Sequence, residues 1–139
     1  MKYLNVALLI TFLFLPLYSS YQADDILGTW VTSEGKGHIE IYKKNNEYHG
    51  KLVWNKTPDK LDDNNPDPKK RDRKLRGIII LTHLKYAGDG EWEDGYIYDP
   101  EKGKTYNCEA KLDGIDKLNF RGYIGISLIG RTTTWTRKK

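Results

Sequence analysis

About eight short segments of the chain carry the residue pattern of β-strands, and their number and spacing constrain the fold more than any other feature. Each segment is rich in Val, Ile, Tyr, Thr and Trp and is bounded by Gly, Asn, Asp or Pro. In the second segment, Ile39 and Ile41 fall on one face and Glu40 and Tyr42 on the other, which is typical of a strand with one buried side. The predicted strands cover residues 27–32, 37–44, 47–54, 77–84, 90–98, 104–111, 117–123 and 131–137.

The connections between these strands are short and carry turn chemistry. Asn45-Asn46 tolerates the positive φ of a tight hairpin, Asp113-Gly114 is a strong two-residue turn signal, and residues 99–103 place proline early and glycine late. Short links favour an antiparallel meander. About eight such strands close readily into a barrel, which removes exposed edges and leaves room for one small ligand. We therefore predict an all-β, antiparallel, up-and-down barrel.

The first 23 residues differ from the rest of the chain. Lys2 precedes an apolar run over residues 4–17, and small residues follow it, which is the layout of a secretory signal. The run is shorter than the roughly 20 residues that a membrane-spanning helix needs. We expect a removable signal peptide over residues 1–23, a single domain over 24–139 and no transmembrane segment in the mature chain.

The cleavage point is open among Ser19, Ser20 and Ala23, because each is small and none sits in a clean A-x-A motif. The protein is expected to be exported, to the periplasm or beyond the cell. The net charge of +4 is mild and its basic residues are interspersed with acidic ones, so we predict no nucleic-acid partner. The single cysteine, Cys108, cannot close an intrachain disulfide and is predicted to be a buried packing residue or a thiol for an intermolecular partner.

One segment does not fit the meander. Residues 55–76 contain Pro58, Pro66 and Pro68, a polar string and then a basic run, which predicts a long loop with a helical turn beginning at Pro68. Loops of this length in compact domains are usually functional or disordered. The loop is therefore either a functional segment or a solvated excursion.

The two ends of the domain carry a G-x-W tripeptide, Gly28-Thr29-Trp30, and a late segment with Arg131 and Arg137. This resembles the way in which lipocalins close a barrel, with the tryptophan covered by an arginine near the end of the chain. A guanidinium over the ring adds a cation–π term of roughly 0.5 to 2 kcal/mol. Arg131 and Arg137 are both candidates for barrel closure, and only one of them is expected to cover Trp30.

Three longer stretches, 62–77, 98–106 and 121–132, make a more specific match. They are similar to the bacterial family known as domain of unknown function 2147, whose members are small exported proteins with a lipocalin-like barrel. The resemblance implies the fold and export, and it assigns no function. This chain lacks the cysteine pair that many members carry around the hairpin at 45–50. The family-like string supplies the predicted loop site: Asn64, Asn65, Asp67, Arg71 and Arg73.

Three functions remain open at this point. The first is an exported carrier of a small apolar or amphipathic molecule, with a cavity lined by Trp54, Tyr96, Tyr98 and Tyr106, although aromatic side chains also fill small barrels. The second is an envelope or surface interaction protein, with a solid barrel, that contacts a protein or glycan through residues 58–76. The third is a small hydrolase-like enzyme with paired carboxylates, or a carboxylate with a histidine, for which the candidate acids are Asp94, Asp99 and Glu101.

Familiar cofactor, metal and catalytic motifs are missing from the sequence, so we predict no cofactor, no metal site and no enzyme activity. Asp63, Asn65 and Asp67 are spaced like the ligands at positions 1, 3 and 5 of an EF-hand calcium loop. Pro68, however, occupies position 6, where that loop needs glycine. The three histidines, His38, His49 and His83, lie on three separate predicted strands. A metal cluster would therefore need a coincidence of register.

Overall fold

The strands form one closed antiparallel barrel in which each strand pairs with its neighbour in sequence and the last pairs with the first. The computed structural model describes residues 10, 11, 13, 20–126 and 129–139; most of the predicted signal peptide, residues 1–23, lies outside this set. The predicted fold class is confirmed. The strands are β1 Gly28–Val31, β2 Gly37–Lys44, β3 Glu47–Asn55, β4 Ile79–Gly88, β5 Glu91–Asp99, β6 Lys104–Leu112, β7 Lys117–Tyr123 and β8 Gly130–Arg137.

Turn residues set the ends of most strands close to the predicted positions. Asn45 and Asn46 both adopt positive φ, at 52° and 59°, and join β2 to β3. The largest difference is in β4, which continues to Gly88, whereas the prediction ended at Leu84. A bulge inside β4 breaks the alternation of buried and exposed residues. The hydrophobic pattern of the sequence therefore stops indicating a strand before β4 ends.

One end of the barrel is closed by Trp30 and Arg137. The guanidinium carbon of Arg137 lies 4.3 Å from the centre of the Trp30 ring, and Trp30 Nε1 donates a 2.8 Å hydrogen bond to the carbonyl of Ile26. Arg137 also donates to the carbonyl oxygens of Asp25 and Leu27 at 2.6 and 2.7 Å. These contacts join the last strand to the segment that precedes the first one.

Arg131 does not take part in this closure, which corrects its inclusion among the closing residues. It lies at the opposite end of β8, where it contributes to the open end of the barrel. Six residues of extended chain span roughly 20 Å, so Arg131 and Arg137 cannot both reach the closed end.

The closed half of the interior is filled with side chains. Cys108 is fully buried there, which confirms its predicted packing role, and burial raises the pKa of its thiol. The residues that fill this half are Ile26, Trp30, Ile41, Tyr48, Leu81, Leu84, Trp92, Ala110, Leu112 and Leu118.

The long connection between β3 and β4 is tied to the barrel. Its 3₁₀ turn, Pro68–Lys70, confirms the helical turn predicted at Pro68, and the side chain of Asp67 caps the turn by accepting from the amide of Lys69 at 3.0 Å. A bridge between Leu61 and Lys74 holds the two arms of the connection together. Among the described residues, no helix has the length and apolar character needed to span a membrane.

Candidate functional site

The open half of the barrel encloses a cavity of about 1150 Å³. This volume exceeds the roughly 300 to 1,000 Å³ of ordinary small-molecule pockets. The cavity is bounded by the inward faces of the strands and by the turns at the open end. The barrel is therefore filled at one end and hollow at the other.

The deep part of the cavity is apolar. Phe120 on β7 and Trp135 on β8 stack with their ring centres 4.2 Å apart and their planes 5° from parallel, so they present flat apolar surfaces to the cavity. Five aliphatic side chains complete this surface: Ile39, Leu52, Leu75, Ile80 and Ile97.

The mouth of the cavity, which we define as residues 32–37, 55–60, 98–102, 124–126 and 129–131, carries both basic and acidic side chains. Its cationic side chains are Lys36, Lys56, Lys60, Lys102 and Arg131. Lys36 lies 3.4 Å from Glu34 and 3.9 Å from Glu101, and Lys60 pairs with Asp63 at 2.9 Å. Lys56, Lys102 and Arg131 form no ion pair with any residue that the structure describes. Three cationic side chains at the opening thus lack an acidic partner within the described part of the chain, and Glu34, Asp99 and Glu101 line the same opening.

The 56–76 loop forms one side of the mouth and is fixed by the predicted loop residue Asn64. Asn64 Nδ2 donates to the carbonyls of Pro100 and Glu101 at 3.2 and 3.0 Å, and these belong to the turn between β5 and β6. Gly103 adopts a φ of 63°, and a Cβ there would overlap the carbonyl group of Asn64. The close packing of Asn64 on Gly103 thus joins the loop to the turn.

Most of the other predicted loop residues are engaged in hydrogen bonds within the loop. Asp62, which the prediction did not select, has a fully buried side chain and accepts from Asn65 at 2.8 Å and from Arg73 at 3.0 Å. Arg71 Nε donates to the carbonyl of Asn65 at 2.8 Å, and Asn65 Oδ1 accepts from the amide of Asp67 at 2.9 Å. These four predicted residues organise the loop around Asp62, and any contact with a partner stays a prediction.

The four aromatic residues predicted for the cavity fall into two groups. Tyr98 and Tyr106 line it. Trp54 stacks on His38 outside the barrel, and Tyr96 is about half exposed on the outer face, so neither lies on the cavity wall as predicted. Strict alternation would place Trp54 on the same face as the buried Leu52, but the register of β2 and β3 shifts between His38 and Ile39, which interrupts the alternation.

A polar cluster on the outer surface was missed by the sequence prediction. Glu47 and His49 on β3 lie beside His83 on β4, and His83 Nδ1 is 2.6 Å from Glu47 Oε2. The donor atoms of the three side chains all lie within 4.8 Å of one another. The pairing of β3 with β4 brings two of the three histidines together. The predicted order of the strands could have suggested this contact, because β3 and β4 are neighbours in the meander. The spacing of the histidines along the sequence could not.

The acids proposed for catalysis are not gathered into a buried pair. Asp94 and Glu101 are exposed, and Asp99 is half buried and accepts a hydrogen bond from the amide of Glu101 at 2.9 Å. Asp62 is the fully buried carboxylate in the described part of the chain, and it is neutralised by Arg73. The carboxylate and histidine that do meet, Glu47 and His83, lie on the outer surface.

Comparison with known proteins identifies the family. Residues 28–137 match DUF2147, described as an uncharacterized protein conserved in bacteria. The fold is also similar to that of protein HP1028 from the human pathogen Helicobacter pylori, which belongs to the lipocalin family; the TM-score is 0.76 at 26% identity, over 81% of this chain and 82% of that one. No curated protein matches. With its closed eight-stranded barrel and a match that covers nearly all of it, the chain belongs to the DUF2147 family of lipocalin-like proteins.

Proposed function

We propose that this protein binds and carries a small amphipathic molecule, with its apolar part in the cavity and an anionic group at the mouth. The observation that carries the proposal is the cavity of about 1150 Å³, which is apolar at its base and has at its opening three cationic side chains without an ion-pair partner among the described residues. A lipocalin-like barrel is consistent with such a role, because barrels of this size enclose single small ligands.

The apolar base supports a ligand with a hydrocarbon part. Phe120, Trp135 and Leu52 line the base of the cavity with apolar atoms, and each leaves at most 6% of its surface open to it. Covering that surface gains about 25 cal/mol per Å² of apolar area removed from water. A flexible chain or a flat apolar ring system fits this part of the cavity.

The mouth supports an anionic group on the same ligand. Lys56, Lys102 and Arg131 have no acidic partner among the described residues, whereas Glu34 and Glu101 are already paired with Lys36. A carboxylate, phosphate or sulfate at this position pairs with a guanidinium or an ammonium through charge-assisted hydrogen bonds. Neutral hydrocarbons lack this contribution and should bind more weakly.

A titration with a fluorescent polyene fatty acid, compared with the alcohol of the same chain length, tests both parts of the proposal. Thr133 lines the cavity, and Thr134, its neighbour on β8, faces outward. We expect Thr133→Trp to weaken binding, because the larger indole takes up part of the cavity, and Thr134→Trp to leave binding unchanged. Equal binding by the two variants would place the ligand elsewhere and overturn the proposal.

The charge contribution has its own readout in the same titration. Arg131→Gln and Lys56→Gln together should weaken fatty acid binding by at least about tenfold and leave the alcohol unaffected, since an ionic hydrogen bond contributes roughly 1.5 to 3 kcal/mol. Native mass spectrometry of protein taken gently from its own compartment, before and after denaturation, then identifies any natural ligand by its mass. A clean mass with no bound molecule, together with no stabilisation by a lipid panel, would count against a carrier.

We further propose that the protein acts after export, because the sequence begins with the layout of a secretory signal. The contacts of Tyr21 bear on the cleavage point. Its carbonyl accepts from Tyr86 at 2.9 Å, and its hydroxyl accepts from the amide of Gly114 at 2.9 Å. These contacts favour cleavage near Ser19 or Ser20 over cleavage after Ala23, which would remove Tyr21 from the barrel.

A further inference from the structure

The outer surface of β3 and β4 gathers three side chains that commonly bind metals. On β3, Tyr48 and Gly50 point inward, so Glu47 and His49 both point outward on the same face. His83 on β4 completes the group, and the three donor atoms lie within 4.8 Å of one another. In a tetrahedral site with metal–ligand bonds of about 2.0 to 2.3 Å, neighbouring ligands are closer than this, so small side-chain rotations bring all three to one ion.

A bulge in β4 is what places His83 in the group. Leu81 and Leu84 are both fully buried although they are three residues apart, which means that Thr82 and His83 between them both face outward. His83 has a φ of 59°, in the left-handed region that non-glycine residues rarely adopt. Bulges of this kind redirect a side chain, and here the redirected imidazole lies beside Glu47.

We propose that Glu47, His49 and His83 form a binding site for a divalent transition-metal ion of the zinc class. Two imidazoles and one carboxylate are a ligand set that zinc accepts, and three protein ligands leave a fourth position for water or another group. The site lies on the outer surface and lacks any residue that lines the cavity, so it is independent of the proposed carrier function.

Two lysines lie close to the ligand set. Lys44 acts electrostatically on His49, and Lys85 Nζ lies 4.0 Å from Glu47 Oε1. These two cations oppose a second positive charge and make the affinity of the site dependent on salt.

Two tyrosines hold the imidazole rings in place. Tyr42 on β2 stacks on His49 with ring centres 5.7 Å apart, and Tyr96 on β5 meets the edge of His83 at 6.4 Å. The His49 and His83 rings are 5.4 Å apart. Ligands whose ring orientation is already restricted lose less side-chain entropy when an ion binds.

The test is a zinc titration of the exported protein, purified without a histidine tag, with a chromophoric zinc indicator as competitor. We expect one ion per chain. His83→Asn tolerates the left-handed backbone, and His49→Phe keeps the stack on Tyr42, so both variants should fold. Each should weaken binding at least on the order of tenfold, since even residues that merely orient a ligand contribute that much.

His38→Phe is the matched control, because His38 lies on β2 outside the cluster and stacks on Trp54. It should bind zinc as the unmodified protein does. Cobalt supplies a second readout: its visible absorption should report a four-coordinate site in the unmodified protein and disappear in His83→Asn. Absence of a saturable site, or an equal loss in His38→Phe and His83→Asn, would overturn the proposal, whatever the outcome of the fatty acid titration.

Discussion

Tyr98 donates a 2.6 Å hydrogen bond to Asp62 Oδ1, and this bond joins the cavity-lining face of β5 to the 56–76 loop. Burial alone would raise the pKa of Asp62, yet the hydrogen bonds from Tyr98, Asn65 and Arg73 outweigh it and hold that pKa below its usual value. Burial and the same bond raise the pKa of Tyr98 to about 12. The buried Asp62 carboxylate, which accepts from three donors, thus holds the 56–76 loop in place at the mouth of the cavity.

Asp62→Asn should destabilise the protein by about 3 kcal/mol, because an amide group would face the donors of Asn65 and Arg73 that now meet Oδ2. Urea unfolding at pH 7 measures the change. Asp63→Asn is the matched control, since Asp63 is exposed and pairs only with Lys60; it should change the free energy of unfolding by less than about 0.5 kcal/mol. Equal effects at positions 62 and 63 would contradict a special role for the buried carboxylate.

The contribution of Asp62 should also depend on pH. Because its pKa is lower in the folded state than the value of about 3.9 in the unfolded chain, the stabilisation is fully present above pH 5. It declines below about pH 4 and is lost as the pH falls through the folded-state pKa. Unfolding free energies of the unmodified protein and of Asp62→Asn should therefore differ by a constant amount from pH 5 to 7 and converge in acid. If the difference between the two unfolding free energies grew as the pH fell, the pKa of Asp62 would be raised and not lowered in the folded protein, and this prediction would be wrong.

Arg137→Met should lower the free energy of unfolding by about 2 kcal/mol. The substitution removes the cation over Trp30 and leaves the carbonyls of Asp25 and Leu27 without their donor. Arg131→Met, at the other end of the same strand, should change stability by less than about 0.5 kcal/mol. Chemical denaturation of both variants is the measurement, and a reversed order would mean that the covering residue has been wrongly assigned.

A protein that begins at Tyr21 should be more stable than one that begins at Asp24. The shorter form loses the hydrogen bonds from Tyr86 and Gly114, as well as the ring of Tyr21 that packs against Gly90. We expect a difference of about 1 to 3 kcal/mol in thermal or urea unfolding. Sequencing the amino terminus of the exported protein would show which form occurs naturally. Equal stability of the two forms would remove the structural reason for the earlier cleavage point.

The barrel could be predicted from sequence because its determinants are local. Asn45-Asn46 and Asp113-Gly114 end strands through backbone preferences that single residues carry, so the predicted bounds agree closely with those observed. Cys108 was assigned to the interior from residue type, and Trp30 from the resemblance of its G-x-W tripeptide to the one that closes lipocalin barrels. The sequence left Arg131 and Arg137 as alternative closing residues, because a shared face does not distinguish the two ends of a strand, and the structure assigns closure to Arg137.

The candidate site was harder to predict because it depends on contacts between distant residues. Asp62 meets Tyr98 across 36 positions, and His83 meets Glu47 across the same separation. Trp54 was placed in the cavity because the sequence does not reveal the register shift between β2 and β3, which separates it from the face of Leu52. Tyr96 lies outside although Ile97 and Tyr98 both line the cavity. A bulge at Thr82 and His83 interrupts the alternation of β4 in the same way, and no turn residue marks it in the sequence.

Because the barrel is packed at one end and hollow at the other, the residues that form the core are largely separate from those that line the cavity. The packed half, around Trp30 and Leu118, holds the buried core, while the Asn64 and Asp62 contacts tie the loop to the hollow half. Under the proposed carrier function, substitutions at Thr133 should therefore change ligand selectivity at little cost in stability. The architecture makes this protein a suitable scaffold for engineered binding, in which the recognition surface is redesigned and the folding core is left untouched.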